Sequence, residues 1–108
     1  MTRRVFSGAK VVQSLADQRT ATISVAQSNG IRFVDLNIAS ENYVNAIGKM
    51  AASKYNLASD DWTHLNEWGG VVFGRLVSDI LVEKFAELRE ATKSNATLSA
   101  LIKEGKPA

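Results

Sequence analysis

Few side chains in this sequence have the types and spacing that chemistry needs. Asp60, Asp61 and His64 place two carboxylates and the only imidazole within five positions, which is the material of acid–base work. Adjacent aspartates do not converge, however. With Ser59 before them they form a helix start signal, a capping hydroxyl followed by acids where the helix dipole favours negative charge. His64 then falls one turn along that helix, where a lone imidazole is expected to be a surface or packing residue rather than a base. There is no cysteine, so disulfides and thiolate metal sites are excluded, and one histidine cannot build an imidazole cluster. The glycine-rich run from Gly69 through Gly74 lies inside a helical pattern rather than between a strand and a helix, so it does not read as a phosphate loop. The expectation is a protein without catalytic residues, metal or cofactor.

The elements that would position binding residues are read from the apolar pattern. Residues 1 to 18 lack clear periodicity and are expected to be a basic arm or short strand carrying Arg3, Arg4 and Lys10. From Thr20 the runs TATISVAQ and IRFVDLNIA flank Ser28-Asn29-Gly30, the pattern of a β-hairpin with an Asn-Gly turn. Ile23 and Val25, then Val34, Leu36 and Ile38, would face a core, leaving Thr22, Ser24, Phe33 and Asn37 outward. Residues 40 to 57 admit two readings. Composition allows a helix from Glu41 to Tyr55 capped by Ser40, while Gly48 argues against an unbroken one and leaves room for a third strand. From Ser59, helical spacing through Trp62, Leu65, Val72, Leu76, Ile80, Phe85 and Leu88 predicts one long helix reaching about Glu90. Gly69, Gly70 and Gly74 would each cost that helix about 1 kcal/mol relative to alanine, and close approach of another backbone would explain them. Residues 93 to 108 form a polar tail or a short helix around Leu98 to Ile102.

The chain of 108 residues, 45% of them hydrophobic, is long enough for a single domain with its own core. No apolar run approaches the roughly 20 residues of a membrane span, and the N-terminus lacks the apolar stretch of a signal peptide. A soluble protein is expected, cytoplasmic in a bacterial or phage-infected cell, or nuclear in a eukaryote. The net charge of +2 divides unevenly: residues 1 to 56 carry seven basic and three acidic side chains, residues 57 to 108 six and eight. An anionic partner should therefore meet the first half.

Three stretches resemble the positive-cofactor-four family of transcriptional coactivators and its bacterial and phage relatives. Ile23-Ser24-Val25 followed by Gly30 is similar to that family's first strand and turn. Phe33-Val34-Asp35-Leu36-Asn37 is similar to its apolar-apolar-Asp-apolar-Arg strand. Leu57 through Leu65, with Asp61, Trp62 and Leu65 in sequence, looks like its strand exit, helix cap and tryptophan-bearing helix. The likeness covers about residues 19 to 80. It implies an α+β fold: a small antiparallel sheet, hairpin plus third strand at Met50 to Leu57, followed by one long C-terminal helix and paired into a homodimer. Residues 19 to 92 would form this single domain, with Ser40 to Gly48 as a loop.

The function the resemblance implies is sequence-independent binding of single-stranded DNA in replication, recombination or transcription. Single strands lie in grooves that combine cations for phosphate with rings for base stacking. The residues so placed are Arg19, Thr22, Ser24, Phe33, Asn37, Lys49 and Lys54, aided by Arg3, Arg4 and Lys10. Phe33 is the stacking candidate, and Trp62, Leu65, Gly69, Gly70, Val72, Phe73 and Leu76 would form the core and dimer interface. Several positions depart from the family. Ala26, Asn29, Ile31 and Asn37 stand where it has basic residues, and Ser28 and Ser40 stand where it has rings, so the arm, and Tyr43 as a substitute ring, would carry more of the binding. The alternatives are a protein-interaction module on the same fold, working through the acidic C-terminal helix, and a ribbon-helix-helix duplex binder.

Overall fold

A computed structural model describes residues 1–108 as a mostly helical chain, 58% helix, with a single two-stranded hairpin. The hairpin comes first: β1 (Phe6–Ser7) pairs antiparallel with β2 (Lys10–Val11) across a turn in which Gly8 takes a φ of 60°. Four α-helices follow, α1 (Ala16–Ser28), α2 (Leu36–Ser53), α3 (Glu67–Lys84) and α4 (Ala96–Lys103), with a 3₁₀ helix at Ala86–Ala91 between the last two. No helix is long and apolar enough to cross a membrane.

The expected sheet is therefore replaced by helices, and the local reasons are legible. From the end of the expected arm through the expected first hairpin strand, Leu15, Arg19, Ile23 and Ala26 are the residues withdrawn from solvent, a spacing of four, four and three that belongs to a helix. The hydroxyls of Thr20 and Thr22 turn back onto the carbonyls of Ala16 and Gln18, four residues earlier. Asn29-Gly30 does not turn a hairpin. It terminates α1: the Ile31 N–H donates to Ala26 O (2.8 Å), the Gly30 N–H donates to Gln27 O (3.2 Å), and Gly30 adopts a φ of 62°. That is the paired hydrogen-bond pattern of a Schellman motif, which needs a residue free to enter the left-handed region.

The expected loop at Ser40 to Gly48 and third strand at Met50 to Leu57 are also overturned. The loop segment lies wholly in α2, and so does the first half of the strand segment, Met50 to Ser53; the helix is capped by Asp35, whose carboxylate accepts from the Ile38 N–H. Helix-favouring alanine, lysine and methionine prevail here, and Gly48 interrupts the helix with non-helical φ 78°, ψ 169° instead of converting it to a strand. Nor is there one long C-terminal helix. Ser59 caps nothing, α3 starts eight residues later, and its cap is Asn66, which accepts from the Gly69 N–H at 2.8 Å. At the far end Phe85 leaves the helical region (φ −133°, ψ 80°) and divides α3 from the 3₁₀ helix.

The core gathers one face of each of α2, α3 and α4. Val44, Ala52 and Val72 are fully buried, with Tyr43, Tyr55, Phe73, Leu76, Leu98 and Ile102 around them and Val11 of the hairpin closing one side. The Phe73 ring meets Tyr43 and Tyr55 edge-on, at centroid distances of 5.9 and 5.7 Å, an arrangement that adds about 1 kcal/mol per pair beyond burial. The two phenols hydrogen-bond each other at 3.1 Å, and Tyr43 also donates to Lys106 O. Burial, then the Tyr55 hydroxyl, raises the Tyr43 phenol above its ordinary value.

Candidate functional site

Between α2 and α3 the chain runs through residues 57 to 66 without regular structure, and this loop is built around Asp61 and His64. Its base is closed by a bridge pairing Asn56 with Leu65, by the Leu57 N–H donating to His64 O (3.1 Å), and by the Asn66 N–H donating to Tyr55 O (3.0 Å). Asn66 adds its side-chain amide, which donates to the carbonyls of Lys54 and Asn56.

The loop is anchored from below by a residue distant in sequence. Arg4 is wholly buried, and its main-chain N–H donates to Trp62 O at 2.9 Å. Its guanidinium reaches Asn56 Oδ1 (2.8 Å) and His64 O (2.6 Å). Burial lowers the Arg4 pKa, and the Asp61 charge partly offsets that effect. The neighbouring Arg3 stays exposed and donates from Nε to Thr63 Oγ1 at 3.0 Å.

On this frame Asp61 is an orienting group and not the first-turn helix charge expected from the sequence. Oδ1 accepts from the N–H groups of Thr63 (3.0 Å) and His64 (2.8 Å), the short-range turn that aspartate side chains make with the backbone just ahead of them. Oδ2 lies 2.9 Å from His64 Nδ1. The His64 N–H, then that of Thr63, then the imidazole hold the Asp61 carboxyl down at about 2, so it is ionised throughout the neutral range. An ionised carboxylate can only accept, so Nδ1 must carry the proton and the neutral ring must present its lone pair at Nε2. Nε2 has no partner within the chain, and the His64 side chain is 73% exposed against 24% for Asp61. A fixed carboxylate beside an imidazole of set tautomer with an open Nε2 is the arrangement that a general base and its orienting group require.

The residues expected to bind DNA are dispersed. Arg19, Thr22, Phe33 and Asn37 do line one cleft of about 270 Å³ between α1 and the start of α2, but Arg19 is committed there to an ion pair with Asp35. That hydrogen bond lowers the Asp35 carboxyl and raises the Arg19 guanidinium. Ser24 is exposed on α1, Lys10 on β2 and Lys54 at the end of α2. Lys84 sits over one face of Phe33, the ring expected to stack on a base, 4.4 Å from its centroid. Lys49 leans toward the Trp62 ring at 5.6 Å, and Arg4, being buried, has no free surface for a phosphate.

Of the residues expected at a dimer interface, Val72, Phe73 and Leu76 belong to this chain's own core, while Trp62 and Leu65 are half-buried in the loop. Gly69 packs against the Tyr55 backbone, whereas Gly70 and Gly74 face open space. The Asp61–His64 pair was obscured in the sequence because Ser59-Asp60-Asp61 imitates a helix start. Its available signal was an Asp followed three residues later by His, ahead of a stronger cap at Asn66. Arg4 had no local signal at all, since its partners lie 52 and 60 positions away. Comparisons with protein families, curated proteins and solved structures find no match for the chain.

Proposed function

We propose that the Asp61–His64 loop is the acid–base part of a hydrolytic site acting on carbonyl esters. The observation that carries this is the 2.9 Å contact between an ionised Asp61 and His64 Nδ1, with Nε2 open. Nε2 takes the proton of an attacking oxygen, that oxygen bonds to the ester carbonyl carbon, and the same proton passes to the departing alkoxide as the carbon–oxygen bond breaks. Asp61 keeps the ring in the required tautomer and stabilises the imidazolium formed on the way. The nucleophile is water, or a hydroxyl of another polypeptide segment seated over the loop. Single-stranded DNA binding is less favoured by this geometry, because its candidate residues sit on several surfaces and one face of the candidate stacking ring, Phe33, is occupied by Lys84.

The test is hydrolysis of p-nitrophenyl acetate by the protein, by His64→Ala and by Asp61→Asn, each against free imidazole at equal concentration. The expected result is a rate per mole above that of imidazole, falling about 10²- to 10⁴-fold in His64→Ala and partly restored to that variant by added imidazole. Asp61→Asn should fall as well, because an amide can pair with the wrong tautomer. A wild-type rate no greater than that of imidazole, or one unchanged in His64→Ala, would overturn the proposal.

A further inference from the structure

Helix α4 ends in a turn that sends the chain back onto the core. The Lys106 N–H donates to Leu101 O (2.9 Å) and the Gly105 N–H to Ile102 O (3.1 Å), the paired bonds of a Schellman motif, with Gly105 in the left-handed region at a φ of 65°. A side chain at Gly105 would meet a second obstacle, because its Cβ would stand 2.7 Å from Ala46 Cβ. Residues 106 to 108 then run on without regular structure. Pro107 fixes its own φ at about −65° and biases Lys106 toward extended backbone, so this strap is stiff and loses little freedom on being seated.

Three aromatic side chains hold the strap, and all of them hold it by its main chain. Tyr43 donates to Lys106 O (3.2 Å) and Trp68 Nε1 donates to Ala108 O (3.1 Å). The Tyr55 hydroxyl meets Ala108 twice, accepting from its N–H and donating to its carbonyl, each at 3.0 Å. Lys106 and Pro107 are exposed, and only Ala108 packs on the core. Recognition that takes two backbone carbonyls and asks for a small side chain at one position does not require the segment to belong to this chain.

We infer that Tyr43, Tyr55 and Trp68 form an acceptor site for an extended, proline-containing peptide. Residues 105 to 108 fill it in cis, and a peptide of the same kind from another chain takes their place when the strap swings out about Gly105. Stiff proline segments laid on aromatic side chains are a recurring mode of peptide recognition. With the strap seated, Tyr43 and Tyr55 are 3% and 1% exposed, so a second peptide reaches their hydroxyls only after the strap has left.

The probe is the capped peptide acetyl-EGKPA-amide, and the readout is the Trp68 indole N–H resonance, assigned by its loss in Trp68→Phe. In the parent chain the tethered strap competes at an effective concentration of roughly millimolar, so peptide at about 1 mM should leave the resonance in place. Gly105→Val forces a branched side chain into the left-handed region and against Ala46, which should release the strap and move the resonance. The peptide should then return it toward its parental position in a saturable titration. Ala108→Lys releases the strap by a separate route that leaves the α4 turn intact, should respond in the same way, and decides the matter if Gly105→Val does not fold. Tyr43→Phe, added to either variant, removes the donor to the first carbonyl and should weaken the peptide about fivefold. A folded Ala108→Lys protein without a saturable shift would overturn the inference. So would a parent that binds the peptide as tightly as the released variants, or an affinity unchanged by Tyr43→Phe.

Discussion

Replacing Gly69 by alanine sets a gain against a larger loss. Alanine is the better helix former by at most about 1 kcal/mol, and Gly69 lies in the first turn of α3 with an ordinary negative φ. A methyl group there, however, would stand 2.8 Å from Tyr55 O, 3.0 Å from Tyr55 Cβ and 3.1 Å from Leu65 Cδ2. Tyr55 is 1% exposed, and its carbonyl is the acceptor for the Asn66 N–H at 3.0 Å, so it cannot retreat without loosening that bond and the buried ring behind it. Overpacking of this kind costs about 1 to 3 kcal/mol, and a weakened hydrogen bond adds about 1. The net expectation for Gly69→Ala is a loss of about 1 to 3 kcal/mol, a fall of roughly 5 to 15 °C in melting temperature for a domain of this size. Gly70 and Gly74 are the controls. A methyl at either meets nothing within 4 Å, so alanine there should raise stability by about 0.5 to 1 kcal/mol. Thermal melts followed by circular dichroism measure all three. A Gly69→Ala protein as stable as the parent would refute the packing argument, and destabilised Gly70→Ala or Gly74→Ala proteins would reveal a contact from outside the chain on that face. Because the Tyr55–Asn66 pairing closes the base of the loop, Gly69→Ala should also lower the proposed ester hydrolysis more than either control.

Three further outcomes are expected. Arg4→Met removes the donor from Asn56 Oδ1 and one of the two donors on His64 O, and should cost about 2 to 4 kcal/mol in a urea titration; a variant of parental stability would show that the guanidinium does not anchor the loop. The Asp61 carboxyl titrates at about 2 in the folded chain against an ordinary 3.8, so its stabilising contribution is fully present above pH 4 and is lost as pH falls toward 2. A carbon-13 carboxyl titration should place its midpoint well below 3, and a midpoint near 4 would contradict the hydrogen-bonded geometry. Gly30→Ala forces a side chain into a φ of 62° and should cost about 1 kcal/mol, seen as faster amide exchange at Gly30 and Ile31; unchanged exchange would argue against the Schellman termination of α1.

What could be read locally came out unevenly. In residues 40 to 57, composition allowed a helix while Gly48 left room for a loop and a third strand, and the resemblance to a sheet-forming family decided for the latter; the structure follows the composition, with the break at Gly48. In residues 20 to 38, β-branched side chains and Asn-Gly satisfied every short-range rule for a hairpin, yet the same Asn-Gly is an equally good helix terminus. Nothing within the window distinguishes two strands that pair with each other from a helix that lays Arg19, Ile23 and Ala26 on the body. Ser59 was the expected cap of the helix that follows; the cap is Asn66, whose amide also joins the carbonyls of Lys54 and Asn56 across the loop.

By itself the sequence determines the chemistry on offer: a chain with enough apolar residues for one core, no thiol, one imidazole and an acid three residues before it. Those are properties of residue types, and no fold can alter them. Tertiary structure alone decided that Asp61 and His64 face each other rather than decorate a helix. The helix starts only after Asn66, and a buried arginine from the other end of the chain holds the Trp62 and His64 carbonyls of the loop left before it. Pairings that span 50 or 60 residues leave no trace in a local window, because their free energy is gained only when the segments meet.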